Sequence, residues 1–110
     1  LPGRNLLLLC QAGLFCAARG IPTVALGLLK GNPFSDASPV FLRKMQAVLH
    51  AAFGVPIRLR TPYRAMTKRQ VERKMPDFPF ELTFSCLRPK GLRHCRACSK
   101  CEERFDEREG

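Results

Sequence analysis

The sequence predicts an α/β fold in which helices pack on a small parallel sheet, followed by a cysteine-rich tail. Three observations carry this. The order of patterns is helix, strand, helix, strand, helix, and that alternation is the mark of a parallel α/β layer. The first strand run, Thr23 to Leu29, is apolar with few polar interruptions, as expected for a strand covered on both faces. Four of the six cysteines then crowd into Cys86 to Cys101 with spacing C-x8-C-x2-C-x2-C. The organisation expected is an α/β part over residues 1–85 and a cysteine tail with a terminal helix over residues 86–110.

Each element has its own local signals. Leu1-Pro2-Gly3-Arg4-Asn5 is turn-forming, and Asn5 is the N-cap residue expected for the helix that follows. Leu6 to Arg19 is apolar nearly all round, which predicts a helix buried on most faces, with Cys10 and Cys16 as buried hydrophobes and Gly20 closing it. Lys30 to Ala37, with Gly31, Asn32 and Pro33, is a loop at the carboxyl end of the first strand. Ser38-Pro39 reads as N-cap and first helical residue. Phe41, Leu42, Met45, Val48, Leu49, Ala52 and Phe53 follow as an apolar stripe, with Arg43, Gln46 and His50 on the opposite, solvated face and Gly54 at the end. Ile57 to Arg60 alternates as a strand does. Thr67-Lys68-Arg69-Gln70 has the form of a capping box opening a short helix that stops before Pro76. Glu81 to Phe84 is an extended approach to the cysteines, and Cys98 to about Glu107 a terminal helix.

The cysteine stretch carries the chemistry. Two residues between cysteines let the chain turn so that both sulfurs converge, and four thiolates complete a tetrahedral zinc shell. Such a closed shell is structural, and zinc binding there contributes folding free energy to a tail with little core. Disulfides fit poorly, because neighbouring C-x2-C pairs compete for the middle sulfur. An iron–sulfur cluster also accepts four cysteines. The expectation is one zinc held by Cys86, Cys95, Cys98 and Cys101, with His94 a bystander.

Composition sets wider bounds. A formal net charge of +10 over 110 residues points to an anionic partner: a nucleotide, RNA or an acidic surface. The apolar run Leu6 to Ala18 reaches only about 20 Å as a helix against roughly 30 Å of hydrocarbon, so no membrane span is expected. Arg4 with the leucines after it imitates a secretory signal, but zinc-type cysteines suit a reducing compartment, and the location expected is cytoplasmic. There is no Walker-type phosphate loop and no dinucleotide fingerprint.

Three segments, in order, resemble a known family. They are Pro2-Gly3-Arg4-Asn5 opening an apolar helix; Thr61-Pro62 after a strand with Thr67-Lys68 starting the next helix; and Glu81-Leu82-Thr83-Phe84-Ser85-Cys86 followed by Cys95, Cys98, Cys101 and Arg104. Together they resemble the C-terminal half of 7-cyano-7-deazaguanine synthase, a PP-loop ATP pyrophosphatase-type ligase of queuosine biosynthesis. The resemblance implies the adenine-nucleotide-hydrolase-like, Rossmann-like sheet of that superfamily, ending in a four-cysteine zinc knuckle. It implies an ATP-dependent C–N ligase that activates 7-carboxy-7-deazaguanine by adenylation and adds ammonia to form the nitrile. ATP with Mg²⁺ is then a substrate and the deazapurine carboxylate the other. Arg4, Asn5 and Asp36 are the substrate-binding candidates by the same match. A homodimer is compatible with the resemblance; a membrane or nucleic-acid partner is not expected.

Three departures qualify the match. The family's Ser-Gly-Gly-x-Asp-Ser nucleotide loop is absent from these residues, so the chain reads as a fragment that is inactive alone. Where the family has a substrate loop near Tyr-Pro-Asp-Cys-Arg, this chain has Asn32-Pro33-Phe34-Ser35-Asp36-Ala37-Ser38. The glycine usual after the second zinc cysteine is Arg96 here, which strains the turn if positive φ is needed. The competing readings are a PP-loop tRNA-modifying enzyme and a non-enzymatic zinc-knuckle binder of nucleic acid. Thiolation chemistry needs reactive cysteines, whereas these four are sequestered by metal. With Tyr63 the single tyrosine and no tryptophan, stacking platforms for bases are scarce.

Overall fold

The structure, a computed structural model, describes residues 1–105. The chain forms two compact units, Leu1–Ala65 and a second beginning at Met66. The first contains α1 (Arg4–Arg19), β1 (Thr23–Ala25), a 3-10 turn (Ser35–Ala37), α2 (Pro39–Phe53) and β2 (Arg58–Arg60). The second contains α3 (Lys68–Arg73), a 3-10 turn (Phe80–Leu82) and α4 (Ser99–Phe105). The sequence predicts a terminal helix to about Glu107; its last part lies outside the described residues.

The sheet is parallel, with Thr23 opposite Arg58, Val24 opposite Leu59 and Ala25 opposite Arg60. It is shorter than the run Thr23 to Leu29 predicts, because a ladder extends only as far as its partner and β2 is itself brief. Leu26 still donates to the Arg60 carbonyl at 2.9 Å, and Leu28 leaves the ladder to join the core. On the far side of β2 the Leu59 N–H donates to Gln46 Oε1 of α2 at 2.8 Å.

α2 begins and ends where its sequence says. Ser38 Oγ accepts from the Phe41 N–H at 3.1 Å, Pro39 fills the first turn, and Gly54 takes the left-handed conformation with φ 71°. Leu42, Met45 and Leu49 of the predicted stripe are buried; Val48 and Ala52 are exposed, and so is His50.

α1 departs from expectation. Only Asn5, Leu9, Gly13 and Cys16 are buried, a single stripe at helical spacing. Leu7 and Phe15 are 56% and 51% exposed, and Leu6, Leu8, Leu14 and Cys10 also face outward. The reason is geometric: within the first unit α2, β1 and the Ser35–Ala37 turn all lie against one side of the helix. Asn5 is not the N-cap either. The cap position is Gly3, left-handed at φ 76°, and Asn5 sits inside the first turn, 6% exposed.

Gly13 of α1 lies directly against the Leu49 side chain of α2. A Cβ there would lie 2.6 Å from Leu49 Cδ2, and Leu49 is itself buried in the core. Gly13→Val is therefore expected to destabilise the protein by about 1–3 kcal/mol through overpacking, read as a lowered midpoint in denaturant. An unchanged midpoint would mean that the two helices separate freely.

In the second unit, Thr67 and Gln70 form both halves of a capping box. The expected extended segment Glu81 to Phe84 is instead a 3-10 turn through Leu82, with extended backbone only from Thr83. The turn is locked by the Thr83 hydroxyl, which donates to the Phe80 carbonyl at 2.6 Å. Arg104 of α4 adds donations to Thr83 Oγ1 at 3.0 Å and to the Phe80 carbonyl at 2.7 Å.

Candidate functional site

The sulfurs of Cys86, Cys95, Cys98 and Cys101 lie within 4.8 Å of one another and form a group that can hold a metal ion. The local fold explains the convergence. Lys90 and Arg93 pair as a tight hairpin across Gly91 and Leu92, returning the chain so that Cys95 meets Cys86. Arg96 then turns left-handed at φ 60°, the only non-glycine residue with positive φ among those described. Its guanidinium lies over the Phe105 ring, 4.2 Å from the centroid, a cation–π contact that offsets part of the backbone strain. Cys98 precedes the first turn of α4, which presents Cys101.

Main-chain N–H groups point at these sulfurs. Cys86 Sγ accepts from Arg88 at 3.4 Å and Cys95 at 3.2 Å; Cys95 Sγ accepts from Ala97 at 3.4 Å and Cys98 at 3.3 Å. Cys98 Sγ accepts from Leu87 and Cys101, both at 3.4 Å. Such donors favour thiolate over thiol. The N–H of Ala97, foremost, holds the Cys95 thiol below its ordinary value, and that of Leu87 holds Cys98 down to about 6. Burial pushes Cys101 up to about 11. A metal cation reverses that last penalty, since coordination removes the proton outright. The four soft donors, closely spaced and backed by N–H groups, suit a closed tetrahedral site. All six cysteines are free of disulfides.

His94 stands aside from the sulfurs. Its ring stacks on Phe84 at 4.4 Å between centroids and meets Phe105 edge-on at 5.3 Å. Burial first, then the charges of Arg104 and Arg96, lower its pKa, so it packs as a neutral ring.

A second cluster lies beyond the carboxyl ends of the strands, where open parallel sheets bind ligands. The structure brings Asn5 and Asp36 together: Asp36 Oδ2 accepts the Asn5 N–H at 2.9 Å, and the Asp36 carbonyl accepts from Asn5 Nδ2 at 3.3 Å. Asp36 thus caps α1 across 31 residues, supplying the acceptor that Gly3 lacks. Arg4 is exposed in the same first turn. Arg64, which the sequence reading did not single out, donates to the Ala37 carbonyl and ties down the same 3-10 turn. Its one sequence signal was position: it follows Thr61-Pro62-Tyr63 directly after β2.

A small parallel sheet flanked by helices, with a four-cysteine metal-type knuckle in the second unit, defines the class. A family profile, the queuosine biosynthesis protein QueC, matches residues 1–108, and the chain belongs to that family. It is similar to the 7-cyano-7-deazaguanine synthases of Paracoccus denitrificans (35% identity over 109 residues, covering 94% of this chain and 46% of that protein) and Brucella ovis (36% over 110 residues, 94% and 47%). A third relative of the same name, from Marinobacter nauticus, is 29% identical over 109 residues, covering 96% and 49%. The chain spans about half the length of the curated relatives it matches. Among the described residues no helix is long and apolar enough to cross a membrane.

Proposed function

We propose that the chain supplies the zinc-bound part of an ATP-dependent ligase that converts 7-carboxy-7-deazaguanine and ammonia into 7-cyano-7-deazaguanine. The observation that carries this reading is the convergence of four cysteine sulfurs in a chain that matches the QueC family along its length. Zinc, one per chain on Cys86, Cys95, Cys98 and Cys101, holds the second unit together and takes no part in the chemistry. Arg4, Asn5 and Asp36 form the substrate edge. The exposed Arg4 fork, at the positive end of α1, suits a carboxylate or phosphate. Asn5 and Asp36, bonded to each other, set the geometry of that helix end rather than reaching outward themselves.

The test is ATP consumption by full-length protein with ammonia and a panel of deazapurine carboxylates. Arg4→Lys is expected to lower kcat/KM by about 1–3 kcal/mol, because a point charge does not replace a bidentate fork, while zinc content stays constant. ATP use stimulated by tRNA and by no member of the panel would replace this reading with a tRNA-modifying one.

A further inference from the structure

A groove on the first unit, apart from the Arg4–Asp36–Arg64 cluster, collects positive charge that the proposed reaction does not use. It lies between the outer face of α2 and the chain entering β2, with a volume of about 350 Å³. Arg43 and His50 stand on the helical wall, Arg58 on the strand wall, and Ala47, Pro56 and Ile57 give an apolar floor. Ile57 is 2% exposed, so that floor is anchored in the core.

Among the described residues these arginines have no internal partner. Asp36 is the only acidic residue in Leu1–Ala65, and its carboxylate is engaged at the start of α1. Neither Arg43 nor Arg58 makes a side-chain hydrogen bond or ion pair among the described residues. Two unpaired guanidinium forks facing one groove from different elements recognise a group with several acceptor oxygens. The apolar floor suits a ring or ribose carried beside it. Gln46, which also lines the groove, is committed to the Leu59 N–H and holds the two walls together.

We propose that this groove binds the phosphate of a nucleotide or of an RNA backbone, at a site separate from the ligase reaction. Arg43 and Arg58 grip the phosphate oxygens, and Pro56 and Ala47 seat the attached nucleoside.

The experiment uses zinc-loaded full-length protein titrated with cytidine monophosphate and with a labelled cytidine octanucleotide. Arg43→Gln/Arg58→Gln is expected to weaken binding of at least one probe by about tenfold or more. Arg43→Lys/Arg58→Lys should restore part of that loss, and Arg60→Gln, on the same strand outside the groove, should change little. If the free nucleotide responds, the source is a small molecule. If only the oligonucleotide responds, it is an RNA backbone, and the salt slope should fall by about 0.7 in the glutamine variant, one phosphate contact on a single strand. Zinc content and thermal midpoint establish that the variants are folded. Binding of neither probe by the wild type, or equal binding by wild type and double variant, overturns the proposal. ATP consumption should be unchanged in the double variant; a fall parallel to the lost binding would place the groove in the reaction and end the claim of a separate site. The binding readout stands whether or not the ligase assignment holds.

Discussion

Cys98→Ser should abolish zinc binding and unfold the tail. Cys98 lies at the centre of the knuckle: its sulfur accepts N–H groups from Leu87 and Cys101, and its own N–H donates to Cys95 Sγ. The thiol is held down to about 6, so it is a thiolate at neutral pH, whereas a serine hydroxyl keeps its proton and binds zinc weakly. Structural zinc contributes on the order of 10–16 kcal/mol in small domains, far more than the packing in this tail. Metal analysis under reducing conditions should fall from about one zinc per chain to near none, with a parallel loss of helical circular dichroism. Cys10→Ser, on the exposed side of α1, should leave both unchanged. Protons compete with zinc for the same sulfurs, so lowering the pH should release the metal from the wild type. Full zinc retention by Cys98→Ser would refute the ligand set, and iron with a visible charge-transfer band would refute the metal.

Leu9→Ala should cost about 2–5 kcal/mol. Leu9 is fully buried on the single stripe that α1 shares with its unit, in one cluster with Met45, Leu49 and Ile57. That cluster is small, so the removed side chain is a large share of it. Leu8→Ala, on the outward face, should change the stability of residues 1–110 by no more than about 0.5 kcal/mol. Chemical denaturation separates the two; equal losses would contradict the one-sided burial of α1.

The parts of the fold that local chemistry determines were legible in the sequence. Ser38-Pro39 and Gly54 bounded α2 correctly, Thr67 and Gln70 made their capping box, and Gly20 closed α1. The convergence of the cysteines followed from their spacing alone, because a turn needs no distant partner. What escaped depends on contacts between remote residues. Apolar content along α1 says nothing about which sides have neighbours, and so it does not reveal that Leu7 and Cys10 face outward. Asp36 completes a helix end 31 residues away, and Arg64 reaches back 27 residues to Ala37; no window on the sequence contains both partners. The ladder length of β1 likewise depends on β2.

The Gln46 side chain gives the sheet a direction of growth. In β2 the Arg58 N–H and the Arg60 carbonyl turn toward β1, bonding Pro22 and Leu26, so the Leu59 N–H turns the other way and ends on Gln46. That margin is already occupied and is a poor template for another strand. Among the described residues the opposite margin, where Thr23 and Ala25 turn away from β2, carries no such plug. An incoming strand can therefore add beside β1 and not beside β2. The same asymmetry predicts where misassembly begins: Gln46→Ala frees a second margin, and the altered chain should polymerise through it.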